Sequence, residues 1–253
     1  HYMGRFELFL TVWVGLGTYL NQGIGFVSTL VMTRLLSPEV FGFFSMAIFW
    51  STLLNLRSKS GLSYAAIRQP TADGDLLGTY FVMDALAAVG SMALCIASAV
   101  ALAHLGYRSE ITLGLVVLMA ADGISVLVSP LSMILEKELQ VSRLTLVSLL
   151  AAIVAYSLAI YLAVSGAGIW SLLAVNGITS LASLGGVYWV CRRRWPQALA
   201  WKWRFSRPLA RQLLRQGLPT GLSLTALSSI VTQFDNFLIG TFVGYATLGF
   251  YDR

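Results

Sequence analysis

Three carboxylates stand where carboxylates are costly. Asp122 lies near the centre of a long apolar stretch, Asp235 lies within another, and Asp84 lies toward the start of a third. A carboxylate in hydrocarbon costs about 2.5–3.5 kcal/mol on insertion scales, so each is expected to face a cavity or a partner. The work open to them is coupling to a proton or cation, or hydrogen bonding between lobes. A carboxylate that only accepts hydrogen bonds or caps a broken helix would be structural. Asn21 and Gln22 interrupt the first apolar stretch, among Gly15, Gly17, Gly23 and Gly25. Their amides can meet hydroxyls or water, while the glycines allow close helix approach. Arg57, Lys59 and Arg68 cluster after the second stretch, where they either hold an anion or only set topology. Arg34 stands at the far end of the first stretch, where it can snorkel, bind an anion or pair with Glu39.

Signatures of covalent chemistry are missing. The sequence has no Walker motif, no His-x-x-x-x-Asp, no His-Glu-x-x-His and no Gly-x-Ser-x-Gly. His1 and His104 are the only histidines, and Cys95 and Cys191 the only cysteines. No metal site, no cofactor and no enzymatic activity are therefore expected.

The elements that position these residues follow from composition. The 253 residues are 57% apolar and only 11% charged, with mean hydropathy +0.76. A soluble domain carries about 25% charge, and a particle this poor in ionised groups could not cover its surface. An ordinary soluble enzyme, a disordered regulator and a nucleic-acid module are excluded, which leaves an all-α polytopic membrane protein. Apolar runs long enough to cross a bilayer cover about 8–32, 40–56, 76–105, 111–135, 144–164, 169–190 and 218–243. They lack the alternation of barrel strands. No cleavable signal peptide is evident.

With the N-terminus in the cytoplasm, fourteen of the seventeen Lys and Arg residues fall on the inner side. That asymmetry predicts an N-in topology. Eight of them lie in the 6–7 connection, where Arg207, Arg211 and Arg215 form one helical stripe with Leu209, Leu213 and Leu214 off it. The pattern predicts a short amphipathic helix on the inner leaflet within the 191–217 connection, with Pro219 in the first turn of the seventh span.

A short pattern recurs at an offset of 207 residues. Leu36, Phe41, Gly42, Phe43 and Phe44 match Val243, Leu248, Gly249, Phe250 and Tyr251. Both copies close one apolar span and open the next. An even number of spans separates them, which predicts a parallel repeat about an axis along the membrane normal. The expected organisation is a six-span lobe over 1–190, the basic connection over 191–217, and over 218–253 the first span of a second lobe continued in a longer chain.

Three segments carry a family resemblance. Thr33-Arg-Leu-Leu-Ser-Pro-Glu-Val-Phe-Gly42 resembles the first loop of bacterial polysaccharide flippases, the exporters of lipid-linked O-antigen and exopolysaccharide. Gly61-Leu-Ser-Tyr-Ala-Ala-Ile-Arg-Gln69 resembles the segment after their second helix. Leu213-Leu-Arg-Gln-Gly-Leu-Pro219, followed by Asp235, Ile239-Gly240, Gly244 and Leu248-Gly-Phe-Tyr251, resembles the start of their second lobe. The resemblance implies two six-helix lobes with alternating access, turning an undecaprenyl-diphosphate-linked oligosaccharide from the inner to the outer leaflet of the cytoplasmic membrane. Its implied partners are membrane lipid, the lipid-linked diphosphate, a coupling proton or cation, and the second lobe, with no nucleic acid. Arg57, Lys59, Arg68 and Arg34 then become candidates for the diphosphate, since charge-assisted bonds to phosphate are strong. Asn21 and Gln22 become candidates for sugar hydroxyls, and Asp84, Asp122 and Asp235 for ion coupling. Arg57-Ser-Lys-Ser60 departs from the family pattern, so a sugar preference does not carry over. A multidrug or cation antiporter of the same fold is the alternative; a membrane-embedded glycosyltransferase would need a large outer loop that the sequence lacks.

Overall fold

The computed structural model describes residues 2–70, 73–137, 141–194, 196, 203–223 and 227–252. All regular structure among them is helical. In chain order α1 is Tyr2–Leu35, α2 Pro38–Leu54, α3 Leu56–Lys59, α4 Leu62–Ile67 and α5 Gly74–His104. Then come α6 Ser109–Lys137, α7 Val141–Val164 and α8 Ile169–Arg194. After the connection follow α9 Arg207–Gly221, α10 Leu227–Leu238, a π-helical turn over Ile239–Val243, and α11 Tyr245–Tyr251. Helices α5 to α8 are long and apolar enough to cross a membrane, while α2 is apolar but has 17 residues.

The shortness of α2 has a local cause. The backbone at Asn55 turns extended (φ −74°, ψ 92°), and the Asn55 side chain caps α3 by accepting from the Ser58 N–H. A break at this depth frees backbone groups that hydrocarbon cannot solvate. Side chains satisfy them: Leu56 N–H donates to Ser91 Oγ at 2.9 Å, and Ser60 Oγ donates to the Arg57 carbonyl at 2.7 Å. Gly61 then adopts φ +62° before α4 begins.

Helix α9 corrects the expected helix start at Pro219. Pro208 occupies its first turn and Pro219 lies inside it. Its buried stripe, Ala210, Leu213, Gly217 and Gly221, runs without interruption across that expected boundary, while Arg207, Arg211 and Arg215 stay exposed. The stripe meets the α3–α4 junction backbone to backbone. A Cβ on Gly61 would collide with the Gly217 carbonyl, and one on Gly221 with the Lys59 carbonyl. Just before α9 the chain is pinned to α5. Arg204 N–H donates to the Gly74 carbonyl at 3.2 Å, and Ser206 N–H donates to Thr79 Oγ1 at 3.0 Å.

The largest apolar core lies at this same end. Leu62, Leu76, Leu77, Ile134, Leu135, Cys191 and Leu213 from α4, α5, α6, α8 and α9 are buried together. Both cysteines are free and buried.

The two sequence copies touch each other. A Cβ on Gly42 would collide with the Tyr245 carbonyl, and one on Gly249 with the Pro38 carbonyl. Tyr245 stands 207 residues after Pro38, as Gly249 does after Gly42. The contact is therefore reciprocal, as it is about a two-fold axis. Only glycine at both positions lets the backbones approach this closely.

Candidate functional site

Arg57 links two helices. Its Nε donates to Asp84 Oδ1 of α5 at 2.9 Å, and its Nη1 donates to Asp122 Oδ1 of α6 at 2.9 Å. The side chains are 16%, 4% and 27% exposed, in that order. Guanidinium geometry suits this, since its rigid fork can serve two carboxylates at once. Asp84 is ten residues into α5, and Asp122 lies fifteen residues before the end of α6. At about 1.5 Å per residue these positions are roughly 15 and 22 Å from the helix ends. Both positions lie more than two turns inside their helices. Two carboxylates thus hold Arg57 inside the bundle, whereas Arg68 is exposed. The early end of α2 at Asn55 leaves Arg57 deep in the bundle.

Asp84 has a second donor. Ser129 Oγ of α6 donates to Asp84 Oδ2 at 2.6 Å, and it lies 3.0 Å from the Val126 carbonyl. That carbonyl is the one a helical Pro130 N–H would have bonded. A hydroxyl has one proton to give, so Ser129 serves the carboxylate or the carbonyl. Two carboxylates thus share one guanidinium.

Beside it lies a cavity of about 310 Å³. Arg57, Tyr80, Glu136, Val128 and Met133 line it together with seven hydroxyls: Ser125, Ser129 and Ser132 of α6, Thr179, Ser180 and Ser183 of α8, and Ser63 of α4. Ser125 and Ser180 Oγ atoms stand 3.4 Å apart. The spacing i, i+4, i+7 puts the α6 hydroxyls on one helix face. This stripe was legible in the sequence as a hydroxyl repeat at helical period inside two apolar runs, but it was overlooked in favour of the charged residues. A surface of this kind hydrogen-bonds water, polyols and hydrated ions.

The remaining candidates lie elsewhere. Lys59 Nζ donates to the Leu53 carbonyl, and Arg68 is exposed at the end of α4. Arg34 is exposed, and among the described residues no ion pair joins it to Glu39. Helix α1 runs unbroken past Asn21, which is half-buried, and Gln22, which is exposed. Asp235 accepts from Tyr251 Oη at 2.7 Å and from Asn236 N–H at 2.8 Å. Of the three acids, two share Arg57 and the third has a different set of partners.

A family model described as polysaccharide biosynthesis protein matches residues 31–253, from the end of α1 through α11. Comparison with curated proteins finds no match. Comparison with solved structures finds none either.

Proposed function

We propose that this chain, which belongs to the polysaccharide biosynthesis protein family, moves a lipid-linked oligosaccharide from the inner to the outer leaflet of the cytoplasmic membrane by alternating access. Moving such a molecule makes and breaks no covalent bond. The barrier is taking a diphosphate and a hydrated sugar through hydrocarbon, where charged and polar groups are costly. A protein lowers it by offering polar groups at membrane depth.

The observation that carries this reading is the polar interior around Arg57. A guanidinium, two carboxylates and seven hydroxyl side chains of Ser and Thr come together inside a largely apolar helical bundle. Two functions fit this group. The carboxylates supply the coupling site for a proton or cation, and the hydroxyls keep that site hydrated. The reciprocal contact of α2 and α11 supports a two-lobed architecture, with this crossing as the place about which the lobes tilt. The N-terminus is assigned to the cytoplasm on the Lys and Arg distribution.

The test is genetic and chemical. A strain lacking the gene is expected to lose surface polysaccharide and to accumulate lipid-linked precursor on the cytoplasmic side, with restoration by the intact gene and not by an Arg57→Met version. Normal polysaccharide in the deletion strain, without a redundant exporter, would overturn the proposal. Altered drug resistance without any polysaccharide phenotype would favour a multidrug antiporter instead.

A further inference from the structure

A second cavity, of about 610 Å³, lies between α7 and α8. It differs from the hydroxyl-lined cavity in every respect. Its walls are apolar, from Leu146, Leu150 and Val154 of α7 and Ala182 and Gly185 of α8. Its one charged end is built from Arg143 of α7 with Arg193 and Arg194 of α8. No acidic side chain is among its described lining residues, and among the described residues none of the three arginines makes an ion pair. Arg193 lies over the Trp189 ring, 4.3 Å from its centroid, which fixes one guanidinium at the mouth.

The dimensions match one leaflet. From Arg143 to Val154 is eleven residues, or about 16 Å of helix, close to half of a hydrocarbon core of about 30 Å. The groove is wide because its α8 wall is small. A Cβ added at Gly185 meets nothing within 4 Å, whereas one at Gly186 would come 2.5 Å from Val147 Cγ1. Gly186 sets the helix spacing and Gly185 leaves the slot.

We infer that this groove binds a lipid whose head carries a diphosphate, with the start of its chain in the apolar slot and the diphosphate on Arg143, Arg193 and Arg194. Charge decides the occupant. A phosphodiester lipid brings one negative charge to three guanidiniums, while a diphosphate diester brings two and offers oxygens on both phosphorus atoms for forked hydrogen bonds. The inference deepens the proposed function and rests on it for the choice of a diphosphate. The site then holds the cargo at the inner leaflet, apart from Arg57, Asp84 and Asp122.

The test is a binding measurement that needs no transport. The full chain in uncharged phosphatidylcholine nanodiscs is titrated with geranylgeranyl diphosphate, geranylgeranyl monophosphate and phosphatidylglycerol, and bound lipid is read by native mass spectrometry. The expected order is diphosphate at least tenfold tighter than either other lipid. Arg143→Gln and Arg193→Gln each weaken it at least fivefold, and Gly185→Leu, which fills the slot where there is room, abolishes it. Gly123→Ala, at a glycine whose added Cβ also meets nothing within 4 Å, leaves it unchanged. Equal binding of phosphatidylglycerol would overturn the inference and make the groove an ordinary phospholipid site. Undiminished binding in Gly185→Leu would place the lipid elsewhere and overturn it too. Either result leaves the polysaccharide phenotype of the deletion strain, and with it the proposed function, to stand or fall separately.

Discussion

The hydroxyl of Ser45 donates to the carboxylate of Asp252, and the two residues stand 207 positions apart, the offset that relates the two sequence copies. Ser45 also lies 2.9 Å from its own Phe41 carbonyl, four residues back in α2. One side of the crossing thus carries a serine where the other carries an acid. The backbone contact is symmetric about the Gly42–Gly249 crossing, and its polar lock is not.

That crossing predicts a matched pair of effects. Gly42→Val and Gly249→Val each push a side chain into the partner backbone, and each is expected to separate α11 from α2. Faster limited proteolysis at 244–252 would report it. The double variant is expected to be little worse than either single one, because both act on a single contact. Additive effects would argue against a shared interface.

Loss of Arg57 strands two carboxylates. Breaking a buried ion pair from one side costs about 3–5 kcal/mol, so Arg57→Met is expected to lower the unfolding midpoint sharply in detergent. The triple variant Arg57→Met, Asp84→Asn, Asp122→Asn removes the unpaired charges and is expected to recover most of that loss without recovering polysaccharide export. If export returns with stability, the three residues are structural only.

Gly61 carries two constraints at once. Its φ of +62° costs a side-chain-bearing residue about 1–3 kcal/mol, and its Cβ position is filled by the Gly217 carbonyl. Gly61→Ala is therefore expected to abolish stable expression, while Gly15→Ala, in open space, leaves the thermal midpoint unchanged or slightly raised. Fluorescence-detected size-exclusion chromatography after heating distinguishes the two.

Ser129→Ala removes the one donor that Asp84 and the Val126 carbonyl compete for. An acceptor left unsatisfied in a buried site costs about 1–3 kcal/mol. Ser180→Ala, whose hydroxyl faces the cavity and Ser125, is expected to cost under about 1 kcal/mol because water can replace it. Midpoints for the two variants in the same detergent check the order.

Much of the scaffold was legible because apolar length is a direct signal in membranes. Spans three to six match α5 to α8 closely, since polar or glycine-containing sequence separates the apolar runs. The pairing of Arg57 was not legible. A basic residue after an apolar run reads as a rim residue, and only the break at Asn55 shows that α2 stops early. Asn55 is a strong helix-capping residue, but it sits among apolar neighbours that hide the signal. The helix around Pro219 was not legible for a related reason. Pro219 marks a helix start by local preference, and the buried stripe from Ala210 to Gly221 overrides it. The repeat was readable from the positions of Gly42 and Gly249, although nothing in the pattern told that the copies meet.

The clasp of α9 on the 59–61 segment also constrains how relatives of this chain can recombine. Gly61, Gly217 and Gly221 fill one another's side-chain space with backbone, so any larger residue at one of them requires the opposite backbone to withdraw. A chimera joined within 191–206 would set one parent's α9 against the other's 59–61 segment. It would fold only when both parents carry glycine at all three places. Exchange is thus constrained at this grip rather than at the joining point.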